Sequence, residues 1–448
     1  MSAARTRRLA WLPVCAALWG TTGRPAGPPG PARPRSGVEP DTLTTAYDAS
    51  GVHVIQRIVP GSDVVAVRLY LLGGTSQLTA RTAGIEALWL HASEYGTAQF
   101  PGDEAAHVMA RTGSDVFIEP ELDWTVFGFT ALAEQMDTTW RVFADRLTHP
   151  SLTDAAVAQA RGALVSWAHR RYTQPDLRVQ RIAMQALFQD HPYAIDPEGT
   201  EESLGTLSPA DVRTYAREHF VTSRLLLVVV GGASRSRIDS LVTGSFGLLP
   251  RGDYRWTPPP APVTPRGVRW LLDNRPLPTT YLLGYFTGPP TTSSRYWAFR
   301  VATALLSSRL NYAIRVDRSL SYAAFAPYLD QAIPVGGAYV STPKPDVVVP
   351  LVVQQIEGLE SQPLDKYVLA RFVDSFGFDY LAENSDSPSQ ADFLARAELY
   401  LGGYRRGEEF VRRMHGVAPG DVMNIAKDYM THIQYAYLGD TSRMHGNW

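Results

Sequence analysis

Apolar and polar positions change period along this chain, and the changes mark its elements. Val52–Val59 and Val64–Leu72 alternate apolar with polar residues around Pro60-Gly61-Ser62-Asp63, which predicts two strands joined as a hairpin. Over Arg81–Thr97 (RTAGIEALWLHASEYGT) the period lengthens. Ile85, Leu88, Trp89 and Ala92 recur at three-and-four spacing, so a helix is expected between Gly84 and Gly96-Thr97. Gly102–Arg111 reads as a second helix, Val116–Ile118 and Asp123–Ala131 as strands around Glu119–Leu122, and Met136–Asp145 as a third helix. Thr153–Arg171 is a long helix with a Thr-Asp start, and Leu177–Phe188 follows with Asp176 placed to cap it. Ser208–His219 has Ser at the N-cap and Pro at the first helical position. Leu225–Val230, a continuous run of leucine and valine, predicts a fully buried strand. Further on, Trp297–Asp317 is an amphipathic helix and Ser321–Tyr328 a strand.

Between these halves lies Arg251–Arg266, with five prolines, which reads as a stiff extended linker. The second half then repeats the first. Ser208-Pro209-Ala210-Asp211-Val212 recurs as Ala418-Pro419-Gly420-Asp421-Val422, and Ala216-Arg217-Glu218 as Ala426-Lys427-Asp428. Each is followed by an apolar strand ending in Gly, with a slip in the offset near Gly231 and Gly439. Two related domains are expected, at 41–250 and 268–448, joined by a linker at 251–267. Mixed helices and strands with hairpin signals favour an α+β class, each domain a mainly antiparallel sheet packed with helices.

Composition changes the picture mainly at the N-terminus. The chain has 448 residues, 45% hydrophobic and 19% charged, and a formal net charge of -2 gives no basic footprint for nucleic acid. Within residues 1–40, Arg5, Arg7 and Arg8 precede the apolar run Leu9–Trp19, followed by a Gly/Pro/Arg-rich stretch. That order reads as a secretory signal and predicts a secreted or periplasmic protein. A spanning helix needs about 20 apolar residues, and no stretch qualifies, so no membrane span is expected. The single cysteine, Cys15, falls in the apolar run, so the mature chain would carry no disulfide. Leu12-Pro13-Val14-Cys15 lacks the small residue that precedes a lipidated cysteine, and no lipid anchor is expected.

Three segments carry a family resemblance. They are the frame Gly84…His91…Gly96-Thr97, the run His191-Pro192-Tyr193…Gly199-Thr200-Glu201-Glu202-Ser203-Leu204, and Ser307-Ser308-Arg309-Leu310…Arg315…Leu320-Ser321-Tyr322. Their order and spacing, over roughly residues 44–442, resemble the pitrilysin/insulinase zinc peptidases, the inverzincins with H-x-x-E-H. Aligned on the closing Gly-Thr, that motif falls on Ala87-Leu88-Trp89-Leu90-His91. Only the last His survives; Ala87 replaces the first ligand and Leu90 the general base. The family's third ligand, a Glu, would fall within Leu164-Val165-Ser166-Trp167, in a helix that contains no Glu. A hydrolytic zinc needs three protein ligands and an open water position, which one His cannot supply.

His91 reads as a half-buried helix histidine needing one hydrogen bond, and as a remnant ligand it lacks partners. His91/Glu94 and Glu104/His107, each a His and a Glu three apart on consecutive helices, form an alternative metal set if they face each other. No G-x-S-x-G elbow supports a serine nucleophile, and Gly231-Gly232 and Gly336-Gly337 read as strand-end turns. The remaining signal is Arg315, placed on the last helical turn, and Tyr322, at the mouth of the next strand, able to converge on one cleft. The family resemblance implies that this pair holds the substrate carbonyl and stabilises the tetrahedral oxyanion; Arg309 and Arg318 compete for the assignment. The same resemblance implies a zinc-less subunit of a heterodimeric peptidase, with no cofactor of its own, a zinc-bearing paralogous partner and a peptide substrate. The alternative is a non-enzymatic peptide-binding or assembly scaffold.

Overall fold

The structure is a computed structural model and describes residues 43–445. The expected export segment, Cys15 included, lies outside the described residues. In the first half, β1 (Thr44–Ala49), β2 (Val52–Ile58) and β3 (Val64–Leu72) lead into α1 (Ile85–Ala92) and α2 (Glu104–Thr112). The hairpin of β4 (Asp115–Pro120) and β5 (Trp124–Leu132) precedes α3 (Met136–Thr148), α4 (Asp154–Thr173) and α5 (Pro175–Phe188). Then come α6 (Glu201–Thr206), α7 (Pro209–His219), β6 (Leu225–Gly231) and α8 (Arg235–Thr243). The second half opens with β7 (Arg269–Asn274), β8 (Thr280–Thr287) and α9 (Tyr296–Leu310), which a π-helical turn prolongs over Asn311–Val316. It continues with β9 (Ala323–Phe325), β10 (Tyr328–Leu329), β11 (Val335–Thr342), α10 (Pro345–Ser361), α11 (Lys366–Glu383) and α12 (Ser387–Tyr400). After α13 (Phe410–His415) and α14 (Pro419–Tyr429), β12 (Gln434–Gly439) closes the second sheet.

The strand orders are β1-β2-β6-β3-β5-β4 and, read in the matching direction, β7-β12-β8-β11-β10, with β9 beside β11. In each sheet the last strand of the half enters between two earlier ones, parallel to the first and antiparallel to the second. The sequence repeat is therefore a repeat of topology, and the sheets are mainly antiparallel, as expected. Gly231 and Gly439 end the two inserted strands at φ 143° and 157°. A Cβ on Gly231 would stand 2.2 Å from the Val64 carbonyl oxygen, so glycine is required there.

Three local expectations are corrected. β2 and β3 do not pair as a hairpin, because β6 lies between them. Every residue of Leu225–Gly231 is buried, and a strand with no polar face loses least at the centre of a sheet, bonded on both edges. Asp176 does not cap α5: the helix begins at Pro175 with Gln174 as N-cap, and the Asp176 carboxylate instead accepts the Tyr339 hydroxyl of β11. The strand expected over Ser321–Tyr328 is broken into β9 and β10, with Pro327, which has no N–H for the ladder, in the gap.

The halves exchange helices. One face of the first sheet carries a core with α1, α3 and α7, and the other is covered by α12 from the second half, whose Leu394 and Ala395 join Ile55, Tyr70 and Val228. In return α5 brings Val179, Ile182 and Ala183 to Leu283, Tyr285 and Ala436 of the second sheet. Both exchanged helices carry Pro in the first turn (Pro175 and Pro388), another trace of the repeat. The proline-rich stretch, 251–266, contains no helix or strand and is tied down. The Ser223 N–H donates to the Arg251 carbonyl at 2.9 Å, and His191 Nε2 lies 2.8 Å from the Pro260 carbonyl.

Candidate functional site

The start of α1 is built by two glycines. Gly84, the N-cap at φ 84°, and Gly199, at φ 82°, meet backbone to backbone; a Cβ on Gly84 would stand 2.7 Å from the Gly199 Cα. Thr200 and Ser203 then close a capping box on α6, and the Ser203 hydroxyl donates to the Ala83 carbonyl at 2.9 Å. The segment that follows His191-Pro192-Tyr193 thus fixes where α1 begins. At the other end, Thr97 donates its hydroxyl to buried Asp145 of α3, and that carboxylate also accepts the Gln99 N–H at 3.0 Å.

On this framed helix the metal positions are apolar and closed. Ala87 and Leu90 are fully buried in the first-half core, and Leu164 of α4 packs into the same core. None offers a donor atom, so the residues present do not fit a zinc ion. Glu86, the one carboxylate of α1, is also buried and is spent on Arg224 Nη2 and the Tyr215 hydroxyl, both at 3.0 Å.

His91 is half-buried, and its Nδ1 lies 3.7 Å from Glu94 Oε1. Arg146 reaches the same oxygen at 3.1 Å and donates to Ser93 Oγ at 3.2 Å. Burial by itself pushes the Glu94 carboxyl up, but His91 and the Arg146 guanidinium outweigh it and hold it below the usual carboxylate range. Trp167, in the α4 segment where the third ligand would fall, donates its indole N–H to Glu198 Oε2 at 2.9 Å. Arg171 pairs with the same carboxylate. Burial nonetheless raises the Glu198 pKa.

The alternative four-residue metal set is not assembled. His107 is exposed and stands 3.7 Å from Asp103 rather than facing His91, and Glu104 is exposed as well. Among the described residues no three His, Cys, Asp or Glu side chains come together to hold a metal ion.

Arg315 and Tyr322 flank a single helix-to-strand turn. Arg315 sits in the π-helical turn, where Asp317 N–H donates to the Tyr312 carbonyl at 2.8 Å. The chain then reverses through Ser319 at φ 52°, with Ser319 N–H to the Arg315 carbonyl at 3.1 Å and Leu320 N–H to the Ile314 carbonyl at 2.9 Å. Buried Ser321 ties the exit to β11 by donating to the Ser341 carbonyl at 2.7 Å, which leaves Tyr322 pointing outward. Tyr322 is 94% exposed and Arg315 is exposed too, so within this chain they face solvent rather than an enclosed cleft. The rival arginines are placed differently: Arg318 bonds Asp317 at 2.6 Å and the Ala313 carbonyl at 2.9 Å, and Arg309 is half-buried. Arg315 is the one of the three with an exposed guanidinium and no side-chain hydrogen bond to a described residue.

Sequence reasoning passed over Asp123, which joins the halves. This buried carboxylate accepts the Tyr193 hydroxyl at 2.5 Å, the Tyr400 hydroxyl at 2.7 Å and the Ala332 N–H at 2.9 Å. Its position in a strand-starting Leu-Asp-Trp gave no hint of partners 70 to 277 residues away.

A duplicated α+β fold with an apolar core where a peptidase helix would hold metal, and a free Arg/Tyr turn in its second half, defines a class of metallopeptidase-like chain. Comparison with known proteins agrees. Residues 54–201 match the family model described as Insulinase (Peptidase family M16), and residues 206–375 match that described as Peptidase M16 inactive domain. The chain belongs to the insulinase-type M16 peptidase family. An uncharacterized zinc protease of Mycobacterium bovis is 22% identical over 418 residues, covering 90% of this chain and 93% of that protein. The mitochondrial-processing peptidase subunit beta of Blastocladiella emersonii is 21% identical over 263 residues, 58% of this chain, and the match spans 55% of that subunit's length. A protease from Helicobacter pylori has the same fold, with a TM-score of 0.80 at 15% identity over 88% of this chain and 99% of that one. No helix among the described residues is long and apolar enough to cross a membrane.

Proposed function

We propose that this chain is the zinc-less subunit of a paired M16 peptidase and supplies Arg315 and Tyr322 to a zinc-bearing partner of the same fold. One observation carries the reading: the two kinds of family residue have had opposite fates. Ala87 and Leu90 have been absorbed into a closed core, whereas Arg315 and Tyr322 remain exposed on one anchored turn. Exposure of a tyrosine at 94%, with no partner among the described residues, gains nothing for folding of the isolated chain, so the pair is explained best by something that covers it. In the paired complex the Arg315 guanidinium holds the scissile carbonyl of an extended peptide, and the Tyr322 hydroxyl donates to the oxygen as it becomes an oxyanion. One of the relatives is itself named as a subunit, which supports a divided enzyme. The chain alone holds no catalytic zinc in this reading, and metal analysis finding one tightly held zinc per chain would overturn that part. The basic-then-apolar start supports export of the chain, and its N-terminal mass from the native host tests that.

The deciding experiment reconstitutes the chain with the H-x-x-E-H paralogue of the same genome. Removing one oxyanion donor costs about 10²–10³ in turnover. Tyr322→Phe should fall in that range with assembly unchanged, and Arg315→Ala should lose at least as much. Arg371→Ala, on the exposed face of α11, serves as the control. Full activity of both variants would leave the scaffold reading in place.

A further inference from the structure

A pocket of about 750 Å³ opens in the second half between the start of α9, the end of α13 and α14. Its size lies in the range of small-ligand sites. Trp297, Val417 and Ile425 supply apolar wall, and Arg412, Arg413 and Asp421 supply charge of both signs. The two guanidiniums share one carboxylate: Glu409 takes Arg412 Nη2 at 2.9 Å and Arg413 Nη2 at 2.8 Å. Each guanidinium has five N–H donors, so most are unspent and one positive charge is uncompensated. Asp421 uses Oδ2 on the Ala418 N–H at 2.9 Å and leaves Oδ1 without a donor among the described residues. The remaining charges, Arg295 and Asp428, cancel in a direct pair.

We infer that this pocket binds a short peptide with both ends free and an apolar side chain. The carboxylate terminus meets Arg412 and Arg413 as charge-assisted hydrogen bonds, the ammonium terminus meets Asp421, and the side chain lies on the Trp297 indole. Arg295 is the N-cap of α9, and Arg315 stands 20 residues on, in the π-helical turn that prolongs it, about 30 Å at helical rise. The site is therefore separate from the proposed Arg315/Tyr322 function and does not depend on it.

The test uses the full chain, with Ala-Phe as probe against its N-acetylated and C-amidated forms, titrated by NMR or calorimetry. Saturable binding of the free dipeptide is expected, weakened at least about tenfold by blocking either end. Arg412→Gln/Arg413→Gln should weaken the free dipeptide by a similar factor and leave the C-amidated form unaffected, because only the carboxylate interaction is lost. Asp421→Asn, which keeps the acceptor for the Ala418 N–H, should do the same for the ammonium end. No saturable binding in the millimolar range, equal binding of free and blocked peptides, or indifference to all three substitutions would each overturn the inference.

Discussion

Tyr400, at the end of α12, donates its hydroxyl to Asp123 of the first half at 2.7 Å, closing a bond between residues 277 apart in sequence. The same tyrosine ring stacks on Trp124 at 5.1 Å. Burial raises the pKa of Asp123, while the donors from Tyr193, Ala332 and Tyr400 favour its charged form. Tyr400→Phe keeps the stack and removes one donor from a buried charge. A loss of about 1.5–3 kcal/mol in urea unfolding is expected; a change within about 0.3 kcal/mol would show that the hydroxyl does not join the halves.

Gly84 and Gly162 make a matched pair of tests. Gly84→Ala places a Cβ at φ 84° and 2.7 Å from the Gly199 backbone, so a loss of more than about 2 kcal/mol or a failure to fold is expected. Gly162 lies on the exposed face of α4 with nothing within 4 Å, and Gly162→Ala should stabilise by about 0.5–1 kcal/mol. Thermal unfolding of the two variants should move in opposite directions; a shared sign would contradict the close approach.

Ser319 occupies the left-handed region at φ 52°, where a side chain costs about 1 kcal/mol relative to glycine. Ser319→Gly is expected to raise stability by about 0.5–1 kcal/mol, less whatever the freer unfolded chain takes back. Because this turn orients Arg315 and Tyr322, turnover of the reconstituted pair should be measured alongside. Destabilisation by more than about 0.5 kcal/mol would mean that the serine side chain has an anchoring role.

The contribution of Glu121 to stability should fall as pH rises towards neutrality. Glu121, at the β4–β5 turn, is pushed up to about 7 by burial, with Arg396 opposing the shift and Asp392, Glu119 and Asp123 adding to it. Its unfolded value is about 4.3, so between these limits the native state holds the extra proton. Stability from this group is therefore greatest below the window and is lost as pH rises from about 4.5 to about 7, by roughly 1–3 kcal/mol. Glu121→Gln should flatten that slope in unfolding measured at pH 5 and pH 7.5. An unchanged slope in the variant would assign the dependence elsewhere.

Much of the plan was legible from local pattern. The α1 helix, the β4–β5 hairpin and the capped α7 follow from periodicity and from residues a few positions apart. The duplication showed because Pro209/Pro419 and Asp211/Asp421 repeat the same helix start. The loss of the metal site was equally plain, since Ala87 and Leu90 lack donor atoms whatever surrounds them. Such features depend on side-chain chemistry and short-range geometry, which sequence carries directly.

What only the tertiary structure decided concerns contacts between distant segments. Nothing local separates β2 from β3; β6 does so from about 170 residues away, because its wholly apolar surface is stable only inside the sheet. The exchange of α5 and α12 likewise depends on which apolar face finds which sheet. Arg315 could not be distinguished from Arg309 and Arg318 by spacing alone, since Arg309 lies on the same amphipathic run and Arg318 just beyond it. The π-helical turn changed the angular step, Asp317 engaged Arg318, half-burial withdrew Arg309, and Arg315 was left exposed with no side-chain hydrogen bond to a described residue.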